Sequence, residues 1–231
     1  MGKSPKMSLS IVLPTYNESE NLKKLIPLLK KRFSEAEILV VDDKSPDKTA
    51  ETARTLGARV IVREKKEGIG AALREGYNHA KGNIIVSMDA DCSISVEDVP
   101  RLLEKLKSCD IAVGSKYSKG STAEGFNSKA QKFFSIAGNK LFIWFFKLPV
   151  DDVTLNFRAF SKGTWKRLDL SEKTNVFFLE MLVKSKLKGL RIGQIPINFS
   201  KRYYGLSKTS ILKLVPLYLK FLFKNFFKGL K

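Results

Sequence analysis

The first 115 residues alternate between two kinds of hydrophobic pattern, and that alternation limits the folds open to the chain more than any other feature. Short apolar runs at 9–13, 38–41, 60–62, 84–88 and 111–113 have strand length and are rich in Ile and Val. Helical patterns separate them. Asn17 with Glu20 predicts a capping box for a helix over 18–33, in which Pro27 can produce a kink. Ser45 before Pro46 suits an N-cap and first helical position, and Ser95 with Asp98 opens a helix near 96–107. Strand–helix alternation predicts an α/β fold, with a mainly parallel sheet and helices on both faces. Beyond residue 115 the pattern is less regular. A basic aromatic stretch covers 129–148, Asp151 and Asp152 lie in a loop, a helix is predicted near 175–188, and a short strand over 195–199 leads into basic residues 201–208.

Open sheets of this kind bind ligands at the carboxyl ends of their strands. Pro14, Tyr16 and Glu18 follow the first strand, Asp42 and Asp43 the second, and Asp89, Ala90 and Asp91 the fourth. All three groups should therefore meet on one edge. An Asp-x-Asp at a strand end can hold one hard cation, Mg²⁺ or Mn²⁺, and bridge it to phosphate oxygens. Such an ion offsets the charge that grows on a departing diphosphate. The competing reading is a solvated turn with Asp91 capping a helix. Gly68 and Gly70 open a helix after the third strand, where they serve either phosphate approach or tight helix–sheet packing. They do not complete a G-x-G-x-x-G fingerprint.

Charge points to an anionic partner. Lys and Arg number 42 against 23 Asp and Glu, a formal net charge of +19, and no acidic residue follows Glu180. Cys92 and Cys109 are too few for a disulfide framework and read as reduced, packed thiols of an intracellular protein. The lone His79 reads as structural. No uninterrupted apolar run reaches the ~18 residues of a membrane span, so the chain is expected to lie on a membrane and not to cross it. Lys213, Lys220, Lys224, Lys228 and Lys231 fall on one narrow helical face, with Phe and Leu around the rest. That pattern suits an interfacial anchor, against the alternative of a helix docked on the core. The stretch 129–148 repeats the theme. One domain over 1–208 with an amphipathic C-terminal helix over 209–231 is the favoured organisation.

Taken together, these motifs resemble glycosyltransferase family 2, with its GT-A (Rossmann-like) fold, and within it the dolichol- and polyprenyl-phosphate sugar synthases. The resemblance rests on Ile11-Val12-Leu13-Pro14-Thr15-Tyr16-Asn17-Glu18, Val40-Val41-Asp42-Asp43-Lys44-Ser45-Pro46-Asp47, Glu67-Gly68-Ile69-Gly70-Ala71-Ala72 and Met88-Asp89-Ala90-Asp91. It continues through Val113-Gly114-Ser115-Lys116-Tyr117, the segment 152–160 and the segment 195–208. It implies that Pro14, Tyr16, Glu18 and Asp43 hold the base and ribose of a nucleotide sugar. Asp89, Ala90 and Asp91 would meet the diphosphate, with Asp89 and Asp91 binding Mg²⁺ or Mn²⁺. Lys116, Arg202 and Lys208 would sit near phosphate groups, and Arg158, Arg202 and Lys208 near the acceptor. Asp152 is the carboxylate expected to position the acceptor or act as its base.

The resemblance further implies an inverting transfer of a hexose, mannose in the first instance, from GDP-mannose to a polyprenyl or dolichyl phosphate. The site would lie at the cytoplasmic face of an anionic membrane, with room for a small membrane-anchoring subunit as partner. Three positions depart from the family pattern. Ser93 stands where the dolichol branch often has Gln, Lys116 where Arg is common, and Leu155-Asn156 where Ser-Gly usually precedes Phe-Arg. A catalytically degenerate nucleotide-sugar-binding subunit is the alternative. A basic nucleic-acid-binding module is a third reading, but it leaves the ordered acidic motifs without a purpose, and no nucleic-acid partner is expected.

Overall fold

The structure, a computed structural model, describes residues 8–126, 128–205 and 211–226, with the backbone only for 130, 131 and 211–213. The alternation is present from the start: β1 (Leu9–Thr15), α1 (Ser19–Arg32), β2 (Glu37–Asp42), α2 (Thr49–Thr55), β3 (Arg59–Val62) and α3 (Ile69–His79). β4 (Ile84–Met88), α4 (Asp98–Leu106) and β5 (Ile111–Ser115) complete the regular part. The second part contains β6 (Thr122–Ala123), α5 (Lys129–Phe146), β7 (Phe157–Ser161), α6 (Lys162–Arg167) and α7 (Val176–Leu187). β8 (Ile192–Pro196), β9 (Asn198–Phe199) and α8 (Ile211–Lys224) follow. The strand expected over 195–199 is thus two strands in two sheets, broken at Ile197.

Seven strands form the main sheet in the order β3-β2-β1-β4-β7-β5-β8, and β6 pairs with β9 in a small second sheet. All neighbours in the main sheet are parallel except β7, which runs antiparallel to β4 and β5. Both faces are covered, which is why the parallel strands read as continuous apolar runs. Ile11 and Leu13 of β1 face one layer with Leu22, Leu25 and Leu29 of α1 and Leu102 of α4. Val12, between them, faces the opposite layer with Tyr77 of α3, Phe177 of α7, Phe142 of α5 and Phe221 of α8. One strand thus anchors two cores through its period of two.

Long-range partners replace the local caps. No capping box forms at α1: Asn17 takes a left-handed backbone (φ 55) and gives its N–H to Ser45 Oγ at 2.8 Å. The N–H of Ser19 goes to Asp47 Oδ2, and Glu20 pairs with Lys23. Ser45 does not cap α2 either, because its Oγ accepts the Asn17 N–H and donates to Asp42, and the helix begins four residues later. Asp47 instead accepts the N–H of Thr49, and α2 begins there.

Candidate active site

Asp89 and Asp91 leave the carboxyl end of β4 and line one cavity. The antiparallel register pairs Met88 with Phe157, which sets Asn156 opposite Asp89. Asn156 Nδ2 donates to Asp89 Oδ1 at 3.0 Å. The Ser93 N–H donates to Asp91 Oδ1 at 2.9 Å, and Arg202 Nε lies 3.4 Å from Asp91 Oδ2. Burial pushes the Asp89 carboxyl up to about 7, and the charge on Asp91 adds to the rise against the opposing Asn156 hydrogen bond and Arg202. The two carboxylates form an all-oxygen donor set, the chemistry that a hard divalent cation prefers, and Arg202 is the cation that neighbours them in this structure. The Ala90 methyl is buried in the α1–α4 layer, so Ala90 can offer a ligand only its backbone.

The groups after β1 and β2 meet these acids on the same edge. Glu18 is buried. It accepts Arg202 Nη2 on Oε1 and Asn21 Nδ2 on Oε2, both at 2.5 Å, so Arg202 bridges Glu18 and Asp91. Pro14 and Tyr16 are half-buried, with Lys66 Nζ 3.3 Å from the Tyr16 ring centroid. The two neighbouring aspartates divide their tasks. Asp42 binds Thr15 Oγ1 and Ser45 and so fastens the strand ends together. Asp43 accepts Arg63 Nη1 at 2.5 Å. Arg63 is itself buried and also binds Glu67 and Glu75. Burial raises the Asp43 carboxyl above its ordinary value despite the opposing pull of Arg63.

One expectation is corrected, and one open alternative is decided. Arg158 does not reach an acceptor. It is 1% exposed and donates to the carbonyls of Leu155, Phe178 and Val153. It comes from β7 in the middle of the sheet, so its side chain enters the core and ties the 153–155 loop to α7. Burial lowers its pKa to about 10. The glycines of α3 do not cradle phosphate, because the N–H groups of Gly70 and Ala71 both donate to the Lys173 carbonyl. A Cβ on Gly70 would lie 2.6 Å from Phe177 Cβ and 2.7 Å from the Glu172 carbonyl oxygen. Tight packing is what these glycines allow.

Lys116 and Asp152 form a buried pair, with Lys116 Nζ 2.8 Å from Asp152 Oδ2 and 3.1 Å from Thr154 Oγ1. Lys208 lies outside the described residues. Sequence reasoning missed Asn156 as a partner of Asp89, although its departure from the family's Gly marked the position. It also missed Arg63, which gave no local signal.

The cavity has a volume of about 670 Å³ and two kinds of wall. Asp89, Asp91, Lys116, Thr154 and Arg202 bring charge and hydrogen bonds from the sheet edge. Phe134 and Phe142 of α5, with Leu214, Tyr218 and Leu219 of α8, bring apolar surface. α8 is seated by Phe142 against Tyr218 (5.2 Å between centroids), Phe146 against Phe221 (5.9 Å), and Tyr218 Oη donating to the Asn175 carbonyl. Among the described residues no helix is long and apolar enough to cross a membrane.

The fold is that of a solved glucosyl-3-phosphoglycerate synthase from Mycobacterium tuberculosis, with a TM-score of 0.70 at 19% identity over 97% of this chain and 80% of that one. Residues 10–182 match glycosyl transferase family 2. An undecaprenyl-phosphate mannosyltransferase of Micrococcus luteus is 34% identical over 215 residues, 88% of each chain. A dolichol-phosphate mannosyltransferase of Pyrococcus furiosus is 33% identical over 213 residues, 87% of this chain and 59% of that longer one. The chain therefore belongs to glycosyl transferase family 2 and is a glycosyltransferase.

Proposed function

We propose that the chain transfers a hexose, and specifically mannose from GDP-mannose, to a polyprenyl phosphate at a membrane surface. The observation that carries this reading is a cavity in which a paired-aspartate site opens onto apolar walls from α5 and α8. A nucleotide diphosphate suits the first part and a prenyl tail the second. Relatives named as undecaprenyl- and dolichol-phosphate mannosyltransferases support the sugar and the acceptor class.

Asp89 and Asp91 would hold Mg²⁺ or Mn²⁺. The M. tuberculosis synthase of the same fold was crystallised with Mn²⁺ and UDP, which supports a divalent ion. Bound there, the ion would supply positive charge against the diphosphate. Asn156 orients Asp89 through its Nδ2 hydrogen bond. Pro14, Tyr16, Glu18 and Asp43 would receive the nucleoside, with Arg63 fixing Asp43. Arg202, between Glu18 and Asp91, brings charge to the phosphates. A phosphate acceptor is already anionic at neutral pH, so no base has to deprotonate it. Its oxygen attacks the sugar C1 and a new C1–O bond forms. The old C1–O bond breaks with its electron pair leaving on the nucleoside diphosphate, and the anomeric centre inverts.

The test is incubation of the full chain with GDP-mannose, Mn²⁺ and a short prenyl phosphate, following mannosyl-lipid by mass spectrometry. Metal-dependent product that disappears in Asp91→Asn is the expected result. GDP-mannose binding without turnover on any prenyl phosphate would make the chain a non-catalytic subunit.

A further inference from the structure

Asp152 stands behind the cavity wall rather than on it. Its side chain is 0% exposed, and each of its oxygens is engaged. Oδ1 accepts the N–H and the hydroxyl of Thr154, both at 2.9 Å. Oδ2 accepts Lys116 Nζ at 2.8 Å and the Lys116 N–H at 3.4 Å. A general base must come within hydrogen-bond reach of the proton it takes, and this carboxylate faces only protein. Lys116 and Thr154, in contrast, both line the cavity that contains Asp89 and Asp91. The ammonium is boxed by Asp152, Thr154 and the rings of Tyr117 and Phe199, 4.7 and 5.5 Å from their centroids.

We infer that Asp152 is a positioning residue for the proposed transfer: with Thr154 it fixes the Lys116 ammonium at the meeting point of the two phosphates, and it takes no proton from the acceptor. The inference deepens the transfer reading and rests on it. A lysine needs such fixing. Its ammonium is a point charge on a flexible stem, whereas a guanidinium brings its own planar geometry. A cation set in place beforehand does not have to reorganise as charge moves from one phosphate to the other. Helix α5, itself a wall of the cavity, braces the arrangement. Asn139 Oδ1 accepts the Val153 N–H at 2.7 Å, and Tyr117 Oη donates to Ser135 Oγ at 2.7 Å.

A double-mutant cycle on the full chain tests this, with GDP-mannose and farnesyl phosphate as substrates. Lys116→Met and Asp152→Asn should each lower kcat on the order of a hundredfold, the size seen when one preorganised donor is lost. The double variant should be no worse than Lys116→Met, because Asp152 acts only through Lys116. The residual activity of Asp152→Asn should keep the wild-type pH profile. Losses that multiply, or an acid limb that disappears in Asp152→Asn, would overturn the inference. Should Asp152→Asn fail to fold, Thr154→Val takes its place. Its loss should vanish in the Lys116→Met background, and a loss that persists there overturns the inference equally. If wild type shows no turnover, the transfer reading fails by itself, and the cycle is read on calorimetric binding of farnesyl phosphate. Equal, non-additive losses of affinity would still support the positioning role, and additive ones would defeat it.

Discussion

A carboxyl buried beside another carboxyl lowers the stability of the fold whenever both are ionised. Asp89 ordinarily titrates at 3.8 and is raised to about 7 in the folded chain. Between these values the unfolded chain has released its proton and the folded one has kept it. Stability of the metal-free protein therefore falls as pH rises through this window. Asp89→Asn keeps an acceptor for Asn156 and removes the charge. It should melt above wild type at pH 8 without metal, and the gap should close towards pH 4. Mn²⁺ should raise the melting temperature of wild type only. A gap independent of pH would contradict the assignment. Asp43 makes the opposite case. Its loss strands part of a buried guanidinium, so Asp43→Ala should weaken donor binding and also cost about 3–5 kcal/mol in urea unfolding. The lower end is favoured because Glu67 and Glu75 still hold Arg63. That Asp43 sits on the ligand edge was legible, since it directly follows an apolar strand. Its dependence on Arg63 was not, because that partner lies just past the end of another strand, 20 residues away.

At the scale of elements, what could be read was whatever depended on local pattern. Val-rich runs fell into parallel strands, and the apolar period of α7 placed it within a residue at each end. β7 escaped because Arg158 interrupts its apolar run, and only the carbonyls of Val153, Leu155 and Phe178 explain a charge there. The caps of α1 and α2 were misread for a related reason. Asn17, Ser19 and Ser45 make bonds 28 residues apart, and these outweigh nearby capping partners. The start of α3, legible from its glycines, is closed in the same long-range way, since the Gly70 and Ala71 N–H groups go to Lys173 from a distant loop. Gly70→Ala forces a methyl against Phe177 and the Glu172 carbonyl and should cost about 1–3 kcal/mol by overpacking. A shift in urea midpoint with unchanged slope is the readout. An unaffected midpoint would mean that the 172–174 loop is not seated on α3.

On the scale of the whole molecule, the +19 charge and the outer faces of α5 and α8 belong to one problem, namely what covers the exposed aromatics. Trp144 and Phe223 are 76% and 73% exposed, with Phe133 also open, and Lys140, Lys220 and Lys224 are exposed on the same two helices, with Lys147 just past the end of α5. This arrangement suits an acyl boundary fringed by anionic headgroups. Removing α8 would be a poor test, because Tyr218 and Phe221 belong to the core and Phe142 and Phe146 would lose their cover. Point changes are cleaner. Trp144→Ser with Phe223→Ser should leave the melting temperature unchanged, since both side chains face solvent. It should weaken binding to phosphatidylglycerol vesicles by about ten- to a hundredfold for each ring, from roughly 1.5–3 kcal/mol per buried aromatic. Raising salt from 0.1 to 0.5 M should weaken wild-type binding only partly, because burial of the rings is not screened. The double variant should become salt-labile, held by lysines alone. Vesicle binding that the double substitution leaves intact would reassign attachment to charge. Substitutions that abolish self-association in place of vesicle binding would assign the aromatic face to a protein partner, such as a small anchoring subunit or a second copy of this chain.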